Sequence, residues 1–204
     1  MPTIPNSGRG LNFAVARGPL IFIAMTDEGR GEPFEMIRRL PRNSLLIFRH
    51  YTDPERERLA RRVILACRQA GVRCLVAGDS RLARKCKADG VHFPEFQLSR
   101  LAVRRFMPTR WVTTGAAHGL KSVKQIEKLG LDAALLSPVF ASDSHPGARP
   151  LGIGRFAAIS RRAGVPVAAL GGVNHLQVRR LQLAGASAIA GISLFSGHSN
   201  QPGL

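Results

Sequence analysis

Carboxylates are scarce in this chain: 13 Asp and Glu stand against 30 Lys and Arg, a formal charge of +17. That deficit favours anionic partners, whether phosphorylated metabolites, nucleic acid or acidic membrane surfaces. Aromatic side chains are few as well, with one Trp, one Tyr and ten Phe that fall mostly in apolar runs. An RNA-binding surface interleaves aromatics with basic residues. The shortage therefore argues against nucleic acid and ranks it behind a phosphorylated small molecule. Three cysteines, Cys67, Cys74 and Cys86, show neither CxxC nor Cys/His metal spacing. Cys67 falls on an apolar helical face and Cys74 in a strand, so buried, reduced thiols and a cytoplasmic address are expected. No apolar run approaches the ~20 residues of a membrane span; Leu20–Met25 is far shorter. No membrane partner is expected.

What the chain does have is enough apolar material for one core: 45% of its 204 residues are hydrophobic. Residues 1–18 hold Pro, Gly, Asn and two Arg and read as a loose N-terminal extension, 19–197 as the single domain and 198–204 as a tail. Short apolar runs recur within the domain at 20–25, 44–48, 73–77, 89–93, 111–114, 132–136, 165–170 and 187–190. Amphipathic stretches separate them. Helices are expected at 33–40, from the Asp53-Pro54 cap to Gly71, and at 81–87, 98–106, 122–129, 153–163 and 175–184. In the second, Leu59, Val63, Cys67 and Ala70 share one face. Apolar runs that do not alternate with polar residues fit strands covered on both sides, as in a parallel sheet. Eight such units predict a single-domain α/β (β/α)8 TIM barrel, with an open doubly wound sheet as the alternative.

Chemistry in that fold sits where strands end. The strand ends here carry Asp27, Arg49, His50, Asp79, His92, His118, Ser137 and the loop residues Ser142, Ser144 and His145, with Ser193 after the last strand. The loop begins in Leu136-Ser137-Pro138 and runs to Leu151, interrupted by Pro146-Gly147 and Pro150; Gly171-Gly172 closes the next strand. Strands that run into glycine- and serine-rich turns before a helix make anion sites, because backbone N–H groups converge there. Each residue also has a plainer role. Asp79 can cap a helix, Arg49 can pair with Asp27 or Asp79, and His92 can be a hydrogen-bonded core histidine.

Four stretches together, DGVHF, SPVFASDSHPG with PLG close behind, VPVAALGGV and AIAGIS, resemble the thiamine phosphate synthase / TenI family. The resemblance runs from Leu20 to Phe195 and implies a barrel that binds a phosphorylated thiazole or thiamine phosphate. In the synthase, the thiazole attacks a pyrimidine methylene as diphosphate leaves, and Mg²⁺ steadies the charge on the leaving group. Carried over position by position, the resemblance implies a phosphate cup from Ser137, Ser142, Ser144, Gly172, Ile192 and Ser193. Arg49, His118 and His145 would face the second substrate or move protons, and Asp79 would meet Mg²⁺. Barrels of this kind often associate, so a homo-oligomer is expected.

The second half of the pattern is altered. The family's Gln-x-Arg-x-Lys reads Ile47-Phe48-Arg49-His50-Tyr51, and its Asn-Asp reads Gly78-Asp79. The second metal carboxylate falls at Gln97, with Glu95 nearby; the loop lysine is His145 and the strand-five serine is Ala116. The TenI-type histidine before Val-Phe is Pro138. The leading expectation is a synthase with a depleted Mg²⁺–diphosphate half. The alternatives are a thiazole phosphate tautomerase, a non-catalytic thiazole phosphate or thiamine phosphate binder and, last, a basic nucleic-acid binder.

Overall fold

The structure is a computed structural model that describes residues 20–29, 32–99, 107–142, 147, 149–192 and 194–195. The expected N-terminal extension and C-terminal tail lie outside them, as do Ser144, His145 and Ser193.

Eight parallel strands close into a barrel in chain order. They are β1 (Ile21–Met25), β2 (Leu45–Phe48), β3 (Arg73–Ala77), β4 (Gly90–Phe93), β5 (Val112–Ala117), β6 (Ala133–Leu136), β7 (Val167–Leu170) and β8 (Ala188–Gly191). β8 returns to β1 with Ile21 opposite Ala188 and Ala24 opposite Gly191, so no edge is left open. Between the strands lie α1 (Pro33–Arg39), α2 (Arg56–Ala70), α3 (Ser80–Lys85), α4 (Glu95–Leu98), α5 (Leu120–Lys128), α6 (Gly152–Arg162) and α7 (Val178–Leu183). The barrel, rather than the open sheet, is the observed architecture.

The side-chain period of a strand sorts the core into two. One cluster consists of alternate strand residues alone, among them Ile23, Met25, Leu45, Ile47, Leu75, Leu135, Ala168, Ala188 and Ala190, and fills the lumen. The other joins the opposite strand faces to the helices, through residues such as Phe48, Val63, Trp111, Ile126 and Phe156. The lumen is uneven: β1 to β3 supply most of its large residues, while alanines dominate β7 and β8. Bulk on one wall is thus matched by small residues on the other, which keeps a narrow barrel packed.

Several boundaries differ from the sequence reading. α2 begins at Arg56 rather than at Asp53-Pro54, because Asp53 forms a turn, its Oδ1 accepting the Glu55 N–H at 2.7 Å. Its buried residues are Ala60, Val63, Ile64 and Cys67, with Leu59 and Ala70 partly buried against the same core, so the expected face is the inner one, widened by Ala60 and Ile64. The stop at Gly71 holds, in a left-handed cap at φ 70. The helix after β4 begins at Glu95, directly after Pro94, not at Leu98; residues 100–106 of the expected helix lie outside the described residues. β5 runs on to Ala117, which seats His118 directly on the rim.

Candidate active site

The site is built at the C-terminal ends of the strands, and its first corner is β1–β2. Extending the lumen alternation of Leu45 and Ile47 by one step turns Arg49 towards the mouth. Its backbone is fixed by Thr26, fully buried, whose Oγ1 accepts the Arg49 N–H at 2.8 Å. The same hydroxyl lies 3.0 Å from His50 Nδ1, and the His50 ring stacks on Phe48 with centroids 4.9 Å apart. Burial holds His50 below its usual pKa, against the pull of Glu28 and other nearby carboxylates. Arg49 Nη2 is 3.8 Å from Asp27 Oδ2, so of the two partners expected for this arginine the structure brings up Asp27.

Asp79 belongs instead to the β3 turn. Its Oδ1 accepts the Leu82 N–H at 2.9 Å as the N-cap of α3, and its Oδ2 lies 3.6 Å from Arg56 Nη1. Arg56 also donates to Ala77 O at 2.8 Å and covers the Tyr51 ring at 5.4 Å. Gln97, at the position where a second metal carboxylate was sought, donates from Nε2 to Gly78 O at 3.1 Å and pins the same turn. Glu95 is bonded to His118 Nδ1, joining α4 to the end of β5. Among the described residues no group of three or more His, Cys, Asp and Glu could hold a metal ion. One carboxylate, already engaged twice, does not make a protein-built Mg²⁺ site. A bound substrate's own phosphate oxygens would have to supply most of the coordination.

Deeper in the mouth His92 and Thr114 face each other from β4 and β5, His92 Nδ1 2.9 Å from Thr114 Oγ1. The histidine is buried, and desolvation with the nearby Arg49 charge pushes its pKa down to about 3. It is neutral at physiological pH, which matches its reading as a core histidine.

The β6–β8 side is made of backbone. The loop after β6 is tied to the end of β7 by Val139 N–H to Leu170 O at 2.9 Å and Phe140 N–H to Gly171 O at 3.0 Å. Gly171 and Gly172 have φ of 92 and 63. A Cβ on Gly172 would stand 2.8 Å from the Phe140 carbonyl carbon. So the loop carrying Ser142 lies directly against the double-glycine turn. The Gly172 N–H meets no acceptor among the described residues. Ser137 continues the lumen face of β6, and Ile192 packs against the lumen cluster beyond β8. Gly172, Ser142, Ser137 and Ile192 therefore sit along one arc of the rim, with Arg49 and Asp79 on the arc opposite. Thr26, Thr114 and Glu95 hold His50, His92 and His118 in place; the two threonines carry no motif and escape a sequence reading, and Glu95 stands there only as a carboxylate near Gln97.

Comparisons with known proteins agree with this architecture. A family model described as "TMP-TENI: Thiamine monophosphate synthase" matches residues 21–195. A protein of Aquifex aeolicus (strain VF5) named "Putative thiamine-phosphate synthase 2" is 36% identical over 143 residues, covering 70% of this chain and 76% of that one. A thiamine-phosphate synthase of Chloroflexus aurantiacus is 31% identical over 127 residues, 62% of this chain but only 58% of that protein. Among solved structures, thiamine phosphate pyrophosphorylase from Pyrococcus furiosus superposes with a TM-score of 0.69 at 21% identity, over 85% of this chain and 86% of that one. This last likeness is one of fold.

Proposed function

The chain belongs to the thiamine monophosphate synthase family, and from that premise we propose that it grips a thiazole phosphate at the β6–β8 arc and joins it to a pyrimidine diphosphate. In that reaction the thiazole nitrogen forms a bond to the pyrimidine methylene carbon. The carbon–oxygen bond to diphosphate breaks, and diphosphate leaves with the electron pair. What the protein supplies is position and charge. The Gly172 N–H and the Ser142 hydroxyl would donate to the monophosphate, and Arg49 would face the departing diphosphate. When bound, Mg²⁺ would neutralise diphosphate oxygens, and Asp79 would be its one carboxylate ligand from the protein.

The observation that carries this reading is the Gly172 turn: a half-buried glycine whose N–H has no acceptor among the described residues, pressed against the serine-bearing loop. Unsatisfied backbone donors are costly and find a partner in the working molecule. The test is diphosphate release from the pyrimidine diphosphate and thiazole phosphate, with and without Mg²⁺. Mg²⁺-dependent release, lost in Asp79→Asn while the fold is kept, is the expected result.

A second reading is favoured by the engagement of Asp79 and Gln97 in the β3 turn. On that reading the phosphate cup works alone and the protein binds thiazole phosphate or thiamine phosphate without turnover. Saturable binding with no diphosphate released from any pyrimidine diphosphate would select it.

A further inference from the structure

Outside the mouth, a cavity of about 440 Å³ opens between α5 and α6. Arg149, Arg155 and Arg162 line it with His118, and Leu151 and Ile159 are among its apolar walls. Arg155 and Arg162 are seven residues apart on α6, two turns along one face. None of the three arginines pairs with a carboxylate among the described residues. The sequence explains why: from Ala133 to the C-terminus Asp143 is the only acidic residue. Two carboxylates flank the cavity and both are engaged elsewhere, Glu95 with His118 and Glu127 with Lys124 and the Gly164 N–H. The start of α5 adds to the positive charge. Gly119 caps it without a side-chain hydrogen bond, no acidic residue lies in its first turn, and Gly119 and Leu120 line the cavity.

We propose that this groove is a second anion-binding site, distinct from the barrel mouth, for a small molecule that carries a diphosphate or phosphate group on an apolar body. Guanidinium forks match phosphate oxygens in pairs. The volume lies within the range of small-molecule pockets, and the apolar walls suit the body of the ligand rather than its charge. A lone surface arginine would be satisfied by water; three around one hollow, with no carboxylate ion-paired to them among the described residues, concentrate an anion. The groove is also tied to the phosphate arc. The Leu151 N–H donates to Pro138 O and the Gly152 N–H to Val139 O, each at 2.9 Å. An occupant resting on Leu151 would thus bear on the loop that carries Ser142.

The experiment is an amide NMR titration of the full chain with inorganic diphosphate in the absence of Mg²⁺. Saturable shifts at His118–Leu120 and along α6 are expected, and Arg155→Ser/Arg162→Ser should weaken them at least tenfold, as expected for two charge-assisted contacts. A control, Arg161→Ser/Arg179→Ser, removes the same charge from exposed positions that do not line the groove and should leave the affinity within about twofold. Arg49→Ala should leave the groove shifts unchanged, which separates this site from the mouth. Equal weakening by both double variants, or shifts confined to the mouth, would overturn the proposal.

Discussion

His92 Nδ1 and Thr114 Oγ1 lie 2.9 Å apart inside the barrel, on facing positions of β4 and β5 that are both buried. A histidine shut away beside the Arg49 guanidinium has two reasons to stay neutral, and its pKa falls to about 3. The unfolded chain has no such constraint and its histidine titrates near the ordinary 6.5.

The sign follows directly. Between those two pKa values the unfolded state binds a proton that the folded state refuses, so stability falls as pH drops from 6.5 towards 3. The ceiling is on the order of 5 kcal/mol, reached only at the acid end. Exposed carboxylates with lowered pKa, such as Glu28 and Glu57, also weaken the fold in acid. The comparison that isolates the histidine is urea unfolding of wild type and His92→Asn across pH 4 to 7. A shallower pH slope in the variant is expected; identical slopes would show that His92 is not the group responsible.

Thr26 is the joint between β1 and Arg49. Its hydroxyl accepts the Arg49 N–H and meets His50, and no water reaches it. Thr26→Val keeps the shape and strands both partners, which should cost about 1–3 kcal/mol. Thr26→Ser retains the hydroxyl and should recover most of that loss in a urea midpoint measurement. If the valine variant matches wild type, the joint is not what orders Arg49.

The three thiols are buried and unpaired. Contact with Cys67 and burial raise the Cys74 thiol well above its usual value, and burial raises Cys86. Since the thiolate is the reactive form, an aromatic disulfide reagent at pH 8 should leave the native protein essentially unmodified over minutes. It should titrate all three cysteines in urea. Fast native labelling of even one thiol would contradict this packing.

The barrel was legible because eight continuous apolar runs alternate with amphipathic stretches, as strands covered on both faces do; the pairing of β8 with β1 is what separates it from the open sheet. Boundaries were less so where tertiary pairing outweighs propensity. Gly115-Ala116-Ala117 reads as a loop from its small residues, yet the ladder pairs Gly115 with Ala134 and Ala117 with Leu136, carrying β5 to the rim. Expecting the fourth helix at Leu98 hid the bond between Glu95 and His118, because that bond depends on a helix starting just after Pro94. Asp79 shows the opposite case: both of its readings, cap and ligand, were visible in Gly78-Asp79-Ser80, and the structure places it as the cap. The groove arginines carry no motif at all. They share the segment 149–162, and they line a groove only once α5 lies beside α6.

Gly172 offers the sharpest division between scaffold and site. Its φ of 63 suits glycine, and a methyl group there would meet the Phe140 carbonyl carbon and Cβ at 2.8 Å. Gly172→Ala must therefore either push the β6 loop away or distort the turn, at about 2–4 kcal/mol from strain and overpacking together. Because the N–H that would meet a phosphate belongs to the same residue, the variant should lose thiazole phosphate binding more completely than it loses stability. Ser142→Ala, on a side chain with no hydrogen bond among the described residues, should leave the urea midpoint nearly unchanged and weaken the same ligand by about tenfold. If Ser142→Ala bound thiazole phosphate as wild type does, the loop hydroxyl would have no part in the cup. If Gly172→Ala were destabilised but bound normally, the double-glycine turn would be scaffold alone.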